Sequence, residues 1–575
     1  MKFRQRLFGS VKVILTLILI FPMAAYAHLI SITPTIPFPA SVVATSSATA
    51  TFTVTNITSR TNVTVIDQSN FASGSGFSIA SSTCGTLLTP GQSCAIQVTL
   101  QAASTAQTMT GMLKEWAQPS ADGVQYPLSV NVIAGSTVLP NISLVPVNSA
   151  GLPAVRDPIT AQHAGNWLLV SGSTGSFHDF NRDFITGLYV FNPSTTQSTF
   201  MSYSSTNLPL VVKQQLTSTN PQYLEDGDTL YIIGGFYTPD NVNWTTLNTI
   251  TAINIPGMIN AILNNNTNLA PFVTYNTSIP QFKVTGGQLG KIGNYFYLTF
   301  GQDCEGGDYC APPPPSSSQT YTDSIYQFTA DPTLASVTIV NTVTHADLDG
   351  SGWRRRDYTL MPFMLGTTQT LFAQGGPFTP GDNALVWTNG IYFGANLQPA
   401  SMNNNFINQQ ANQYLSPNLS MYSVSNNQSY AATFSGLSNL YWATNGLNYN
   451  NSTLYGNILD LISYDSSGNV QEYANLQPLC SGQPLASCLY MGLAGEFIPN
   501  GSFYDSRHIL QLDQLPQNTP TLVGYVYGGL VSTQQAIFTN PPSPSVASNQ
   551  VYAVYVTPAG SSTNWQNITN LFPGN

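Results

Sequence analysis

Side chains able to do chemistry are scarce in this chain, where only 7% of residues are charged, so their clustering is informative. Arg354, Arg355, Arg356 and Asp357 stand consecutively. If they lie on a strand lining a channel, alternation sends Arg354 and Arg356 to one side and Arg355 to the other. Guanidinium groups so placed clamp a carboxylate or another anion in bidentate fashion. The structural alternative is that they bridge neighbouring elements through Asp, Glu or backbone carbonyls. Glu496 sits in the apolar run 493–499, where a carboxyl needs a specific partner, and one of the three arginines is the expected one. His163, Gln222, Glu225, Gln288 and Thr433 occupy comparable positions ahead of glycine-ended apolar runs. Glu496 and Asp357 together are the candidate acid and base of a polysaccharide hydrolase or lyase, with the arginines assisting.

Metal and redox chemistry find less support. Asp347 and Asp349, followed by Gly350, have the opening of a calcium loop but lack the downstream Glu of an EF-hand. An exposed polar turn is the alternative there, and no cofactor is expected apart from that calcium. The five histidines are scattered singly, and neither a G-x-S-x-G nor an H-E-x-x-H pattern occurs. The six cysteines fall into near neighbours, which predicts the disulfides Cys84–Cys94, Cys304–Cys310 and Cys480–Cys488 in an oxidising compartment. Each closes a short loop and stabilises by roughly 2 to 3 kcal/mol if unstrained.

Export fits the first residues. Lys2, Arg4, Arg6 and Lys12 precede an apolar run, and Ala25-Tyr26-Ala27 is a small-x-small cleavage pattern, so residues 1–27 read as a signal peptide. Its removal leaves eleven basic side chains against twenty-five acidic ones, which argues against nucleic acid as a partner. No later run is long and apolar enough to suggest a second membrane segment. The exposed faces must be neutral and polar, a surface suited to neutral polar ligands such as sugars.

The elements that would position these groups are strands. Between residues 28 and 136, short segments alternate apolar and polar side chains, as in Phe52-Thr-Val-Thr-Asn56 and Cys94-Ala-Ile-Gln-Val98, the pattern of an antiparallel β-sandwich. Residues 137–157 read as an extended linker. From 158 to 557 an apolar run ending in glycine recurs six times, at 167–172, 230–235, 296–301, 371–376, 440–446 and 523–529. Such repetition marks units that bury their hydrophobic faces only against one another. Residues 558–575 are left as a tail. Long helices are scarce, and 257–263 is the best candidate for a short one.

Two resemblances follow from these residues. Phe52-Thr-Val-Thr-Asn56, Phe77-Ser-Ile79 and the spacing from Cys84 to Val98 resemble bacterial Hydin-type immunoglobulin-like domains, which implies an immunoglobulin-like sandwich acting as a spacer. The doublets Gly234-Gly235, Gly375-Gly376 and Gly528-Gly529 resemble kelch-type propellers of the kind that forms the central domain of galactose oxidase, which implies a six-bladed β-propeller. The expected chain is therefore all-β, exported and bacterial, and acts as a secreted or surface-exposed recognition protein. Its partner is an extracellular glycan, peptide or host protein, bound through Arg354, Arg355, Arg356, Glu496, His163 and Gln288. The hydrolase or lyase is the alternative.

Overall fold

The computed structural model describes residues 28–571 except 39–40, 44–46, 68, 70, 72–74, 102–106, 119–121, 134–138, 150, 178–182, 241, 307–317, 346–351, 380–381, 399–400, 445, 466–467, 480–489, 536–544, 559–563 and 570. The expected signal peptide, Asp347, Asp349, Cys310, Cys480 and Cys488 lie outside the described residues. The regular structure of the described residues is nearly all β. It divides into two compact units, one built around Thr49–Gln101 and Thr110–Leu128, the other containing Ser129–Asn575.

In the first unit, Ile30–Ile36, Ser47–Asn56, Ser93–Gln101 and Phe77–Ser82 form one sheet in that order. Asp122–Ile133, Gln107–Gln118, Val63–Asp67 and Leu87–Leu88 belong to another. Along Ser93–Gln101 the buried residues are Cys94, Ile96, Val98 and Leu100, so one face is apolar and the other wet. Across the interior the Phe52 ring meets the Tyr126 ring at 5.2 Å between centroids, joining the two sheets. The disulfide Cys84–Cys94 is present. Cys304 is also disulfide-bonded.

Among the described residues, the second unit contains six sheets that follow one another along the chain, each built on four principal antiparallel strands, besides a further four-stranded sheet of Phe236–Tyr237, Trp244–Thr246, Gln302–Gly306 and Ser318–Tyr321 and two hairpins. Their first strands are Arg156–His163, Gln222–Asp226, Gln288–Ile292, Thr359–Leu365, Asn418–Ser423 and Tyr490–Pro499. Each sheet shares a buried apolar cluster with the next, and the sixth packs back on the first through Val155, Trp167, Ile498 and Tyr527. Nonpolar area removed from water stabilises by roughly 25 cal/mol per Å², so each intersheet cluster helps hold the cycle closed.

Two segments expected outside the sheets lie within them. Asn141–Val147, in the expected linker, pairs antiparallel along Val551–Thr557 and completes the sixth sheet with a strand from the other end of the chain. Trp565–Asn567, in the expected tail, pairs with Val470–Asn475 in the fifth. Short segments far along the chain from their partners carry no local pattern that announces the pairing. The expected helix exists as Ile255–Leu263, where the Asn254 side chain accepts from Gly257 N at 2.7 Å and Pro256 suits the first turn.

The glycine-ended runs are the second strands of these sheets in five of the six cases. Gly234-Gly235, Gly375-Gly376 and Gly528-Gly529 all have left-handed φ, and a Cβ on Gly234 or Gly375 would collide with the carbonyl of Val284 or Gln413 ahead of the following sheet. The fifth case differs. The equivalent strand is Gln428–Phe434, ending in Ser435-Gly436, whereas the run expected at 440–446 belongs to the inserted hairpin Leu437–Ala443 and Gly446–Tyr455. Ser435 takes the left-handed φ of 61° without being glycine, which hid the repeat.

Candidate functional site

Asp157, Asn220, Gly286, Asp357 and Leu415, at or just before the first strands of five sheets, and Ala494, within Tyr490–Pro499 of the sixth, have left-handed backbone with φ between 50° and 67°. Four hydrogen bonds link successive members. Gly286 N donates to the Asn220 carbonyl (3.0 Å), Asp357 N to Gly286 (2.8 Å), Leu415 N to Asp357 (3.0 Å) and Ala494 N to Leu415 (2.6 Å). A non-glycine residue in this conformation costs about 1–2 kcal/mol, least for Asn and Asp, so the arrangement explains why those types stand at three of the six places. All six residues line one cavity of about 180 Å³, on which the heads of all six sheets converge.

The side chains around it are acidic and polar. Asp157 pairs with Arg156 Nη1 at 3.0 Å. Asp357 accepts from Asn220 Nδ2 at 2.8 Å and lies 3.6 Å from Arg356 Nε. Glu496 accepts a hydrogen bond from the Tyr223 hydroxyl. Burial drives the titrations. Desolvation raises Asp157 to about 6, against the pull of Arg156 and aided by the charge of Asp357. It raises Asp357 as well, opposed by Arg356, Asn220 and Arg156. Glu496 is pushed up to about 8 by burial, with the Tyr223 hydrogen bond holding it lower and Glu225 adding repulsion. Behind Tyr223, Glu225 accepts from Gln162 N at 2.9 Å and is raised to about 7, again chiefly by burial. Thr359 also lines the cavity, and its buried Oγ1 has no hydrogen-bond partner.

The structure brings together Asp357, Glu496 and Gln288 among the residues expected from sequence. It does not bring the arginines there as a clamp. Residues 354–358 precede the strand, so alternation does not apply to them. Arg354 stacks on the Tyr321 ring at 4.1 Å. Arg355 is fully buried, donates to the Gly352 and Asn389 carbonyls (both 3.0 Å) and to Asn389 Oδ1 (2.8 Å), and lies over Trp387. Aromatic faces and carbonyls of adjacent segments claim these groups before an anion can. The expected arginine partner of Glu496 is thus replaced by Tyr223.

His163 stands at the far end of its strand, half-exposed, with Nδ1 3.2 Å from Asp228, and is no part of the cavity. Gln222 donates to the Asn220 carbonyl at 2.8 Å and so supports a strand head. Thr433 donates to Gln413 Oε1 at 2.6 Å inside the fifth sheet. Sequence reasoning missed Asp157, Asn220, Tyr223 and Thr359. The available signal was the Arg-Asp dipeptide heading both the first and the fourth sheet, at Arg156-Asp157 and Arg356-Asp357. Among the described residues, no group of three or more His, Cys, Asp or Glu is arranged to hold a metal ion.

A second buried carboxyl cluster lies in the fifth sheet. Asp460 opposes Ala474 and Glu472 opposes Ile462, so the two acids are diagonal neighbours on one face. Both are fully buried. Glu472 accepts from Gln410 N (2.6 Å) and Ala411 N (2.9 Å). Burial raises Asp460 far above the usual carboxyl range, and the charge of Glu472 adds to it; burial raises Glu472 to about 7 against those two amides.

No family model matches the chain, and neither does any curated protein. Among solved structures it is similar to YjhT, at 10% identity over 72% of this chain and 99% of that one, with a TM-score of 0.38. The Dos1 propeller is similar at 10% identity over 71% and 94%, TM-score 0.28. A fungal alcohol oxidase of the AA5 family, in complex with copper, is similar at 9% identity over 76% and 95%, TM-score 0.30. Likenesses this weak say nothing of activity in this chain.

Proposed function

We propose that this chain is an exported recognition protein, an immunoglobulin-like sandwich followed by a six-bladed kelch-type propeller, which binds a small polar ligand or the terminal unit of a glycan in the axial cavity. The observation that carries the reading is the convergence of all six sheet heads on one polar, carboxyl-lined space. Few polar groups converging in a concavity is the usual anatomy of a ligand site. At about 180 Å³ the space is smaller than the roughly 300–1,000 Å³ of sites for drug-sized ligands, which favours one sugar unit or a smaller molecule over a polymer threaded through. The disulfide Cys84–Cys94 suits an oxidising compartment, and among the described residues no helix is long and apolar enough to cross a membrane.

The test is a thermal-shift and glycan-array survey of the purified chain beside Asp357→Asn. A ligand that raises Tm for the parent and not for the variant supports the reading, whereas glycan binding unaffected by that change places recognition elsewhere. The polysaccharide hydrolase keeps one specific support, that Glu496 and Asp357 line the same cavity with raised carboxyls, as a general acid requires. Release of reducing sugar by the parent, abolished in Glu496→Gln, would establish it.

A further inference from the structure

The identity of the ligand's polar group is legible in the cavity's charge. Its lining residues contribute three carboxyls, Asp157, Asp357 and Glu496, from three different sheets, and among them there is no Lys, Arg or His. Asp157 and Asp357 each have an arginine immediately before them in the chain, set beside rather than in the cavity. Glu496 has no such compensation. Its hydrogen bond comes from a neutral hydroxyl, and the charge that acts on it is the like charge of Glu225. A partly buried carboxyl whose one hydrogen bond comes from a neutral hydroxyl lacks the cationic partner that such a charge requires.

A second observation points the same way. Thr359, a lining residue of the same cavity, is 3% exposed, and its buried Oγ1 has no hydrogen-bond partner, although buried hydroxyls are nearly always paired. A metal ion is a poor occupant, since no group of three acidic or metal-binding side chains is close enough among the described residues. An ammonium group fits, because it is compact, carries three donors and no acceptor, and tolerates acceptors spread around it.

We propose that the cavity binds a small molecule through a protonated amine, held by Glu496 with Asp157 and Asp357 around it and Thr359 Oγ1 as a further acceptor. The inference rests on the cavity being the ligand site. Buried acceptors in a space closed to cations of its own attract such a group strongly, because low local dielectric magnifies the attraction.

The probes come in matched pairs: methylammonium with methanol, ethanolamine with ethylene glycol, and glucosamine with glucose. Binding to the full chain is measured by calorimetry and thermal shift at low ionic strength. At least one ammonium is expected to bind tenfold or more tighter than its neutral counterpart, and Glu496→Gln to lose that preference with no fall in Tm. Thr359→Val, which leaves all carboxyls in place, is expected to weaken the same ammonium severalfold. Affinity should rise with pH from 6 towards 8, because binding takes the ionised form of Glu496, which burial and Glu225 keep protonated below about 8. Asp157, Asp357, Glu225 and Tyr223 are the other titratable groups around it.

Equal or tighter binding of the neutral probes overturns the ammonium and leaves a polar-ligand cavity standing. A shift caused by calcium chloride and abolished in Glu496→Gln replaces the amine with a metal. No response to any probe removes both the amine and the cavity as the ligand site.

Discussion

Two groups of buried carboxyls in the same β unit answer burial in different ways. In the fifth sheet, Glu472 is held by two consecutive backbone amides, and its neighbour Asp460 keeps its proton chiefly because burial penalises its charge, with the charge of Glu472 adding to that cost. Neither lines the cavity on which the six sheets converge. At the meeting point of the six sheets, Glu496 has a hydroxyl for a partner, Asp357 an amide side chain and Asp157 an arginine, and all three border open space. Glu472 is satisfied by backbone amides, while both Asp460 oxygens are buried without a hydrogen-bond partner and away from that space, so this first group belongs to the architecture. The second leaves acceptor capacity facing a cavity, which is what separates a site from a structural network.

Removing a member of each group should expose that difference most sharply. Glu472→Ala strands two buried amides, at about 1–3 kcal/mol apiece, so a loss of roughly 2–6 kcal/mol in denaturant unfolding is expected. Glu496→Ala leaves Tyr223 facing a cavity that water can enter, and should cost under about 2 kcal/mol. Equal losses at the two places would erase the distinction.

The dependence on pH sharpens it next. Glu472 at about 7 and Glu496 at about 8 hold their protons in the folded chain at pH values where the unfolded chain has released them. The folded state therefore binds more protons between pH 4.5 and 8, and stability, complete below 4.5, falls as pH rises through 7 and 8. Asp460→Asn removes the repulsion and should flatten the decline, gaining about 0.5–3 kcal/mol at pH 8. Glu496→Gln should remove its own share of the decline across pH 4.5 to 8 and change stability at pH 5 by less than about 1 kcal/mol, because the amide oxygen still accepts from Tyr223. Unfolding curves recorded at pH 5, 7 and 8.5 decide both. A parent whose stability climbs over that interval contradicts the burial of either group.

How far these features were readable in advance depends on whether a local rule produced them. The all-strand architecture was legible, because period-two alternation around Ile96 and Val98 and the doublets at Gly234, Gly375 and Gly528 are enforced by the chain's own geometry. The fifth repeat was misplaced because Ser435 carries a left-handed turn that glycine usually marks. The closing strand Asn141–Val147 was read as linker because its partner is some 400 residues away. In the site, Asp357, Glu496 and Gln288 were visible as rare polar groups ahead of apolar runs. The arginines misled because their type suggests an anion, while Arg354 and Arg355 are claimed by Tyr321 and Trp387, which only tertiary structure brings near. Tyr223 and Thr359 looked like ordinary strand residues, and their position at a strand head gives them their role.

Thr359 offers the finest division between architecture and site. A hydroxyl buried without a partner is a net cost to folding, so Thr359→Val, close in shape, should stabilise the free chain by up to about 1 kcal/mol. The same change should weaken an ammonium ligand severalfold, so stability and affinity move in opposite directions. Ser420 supplies the control, since its buried Oγ is likewise without a partner but lies outside the cavity lining. Ser420→Ala should give a comparable gain in Tm and leave affinity untouched. If Thr359→Val instead destabilises the chain, its hydroxyl is satisfied within the fold. The polar wall of the cavity would then belong, like Glu472, to the protein's internal hydrogen bonding.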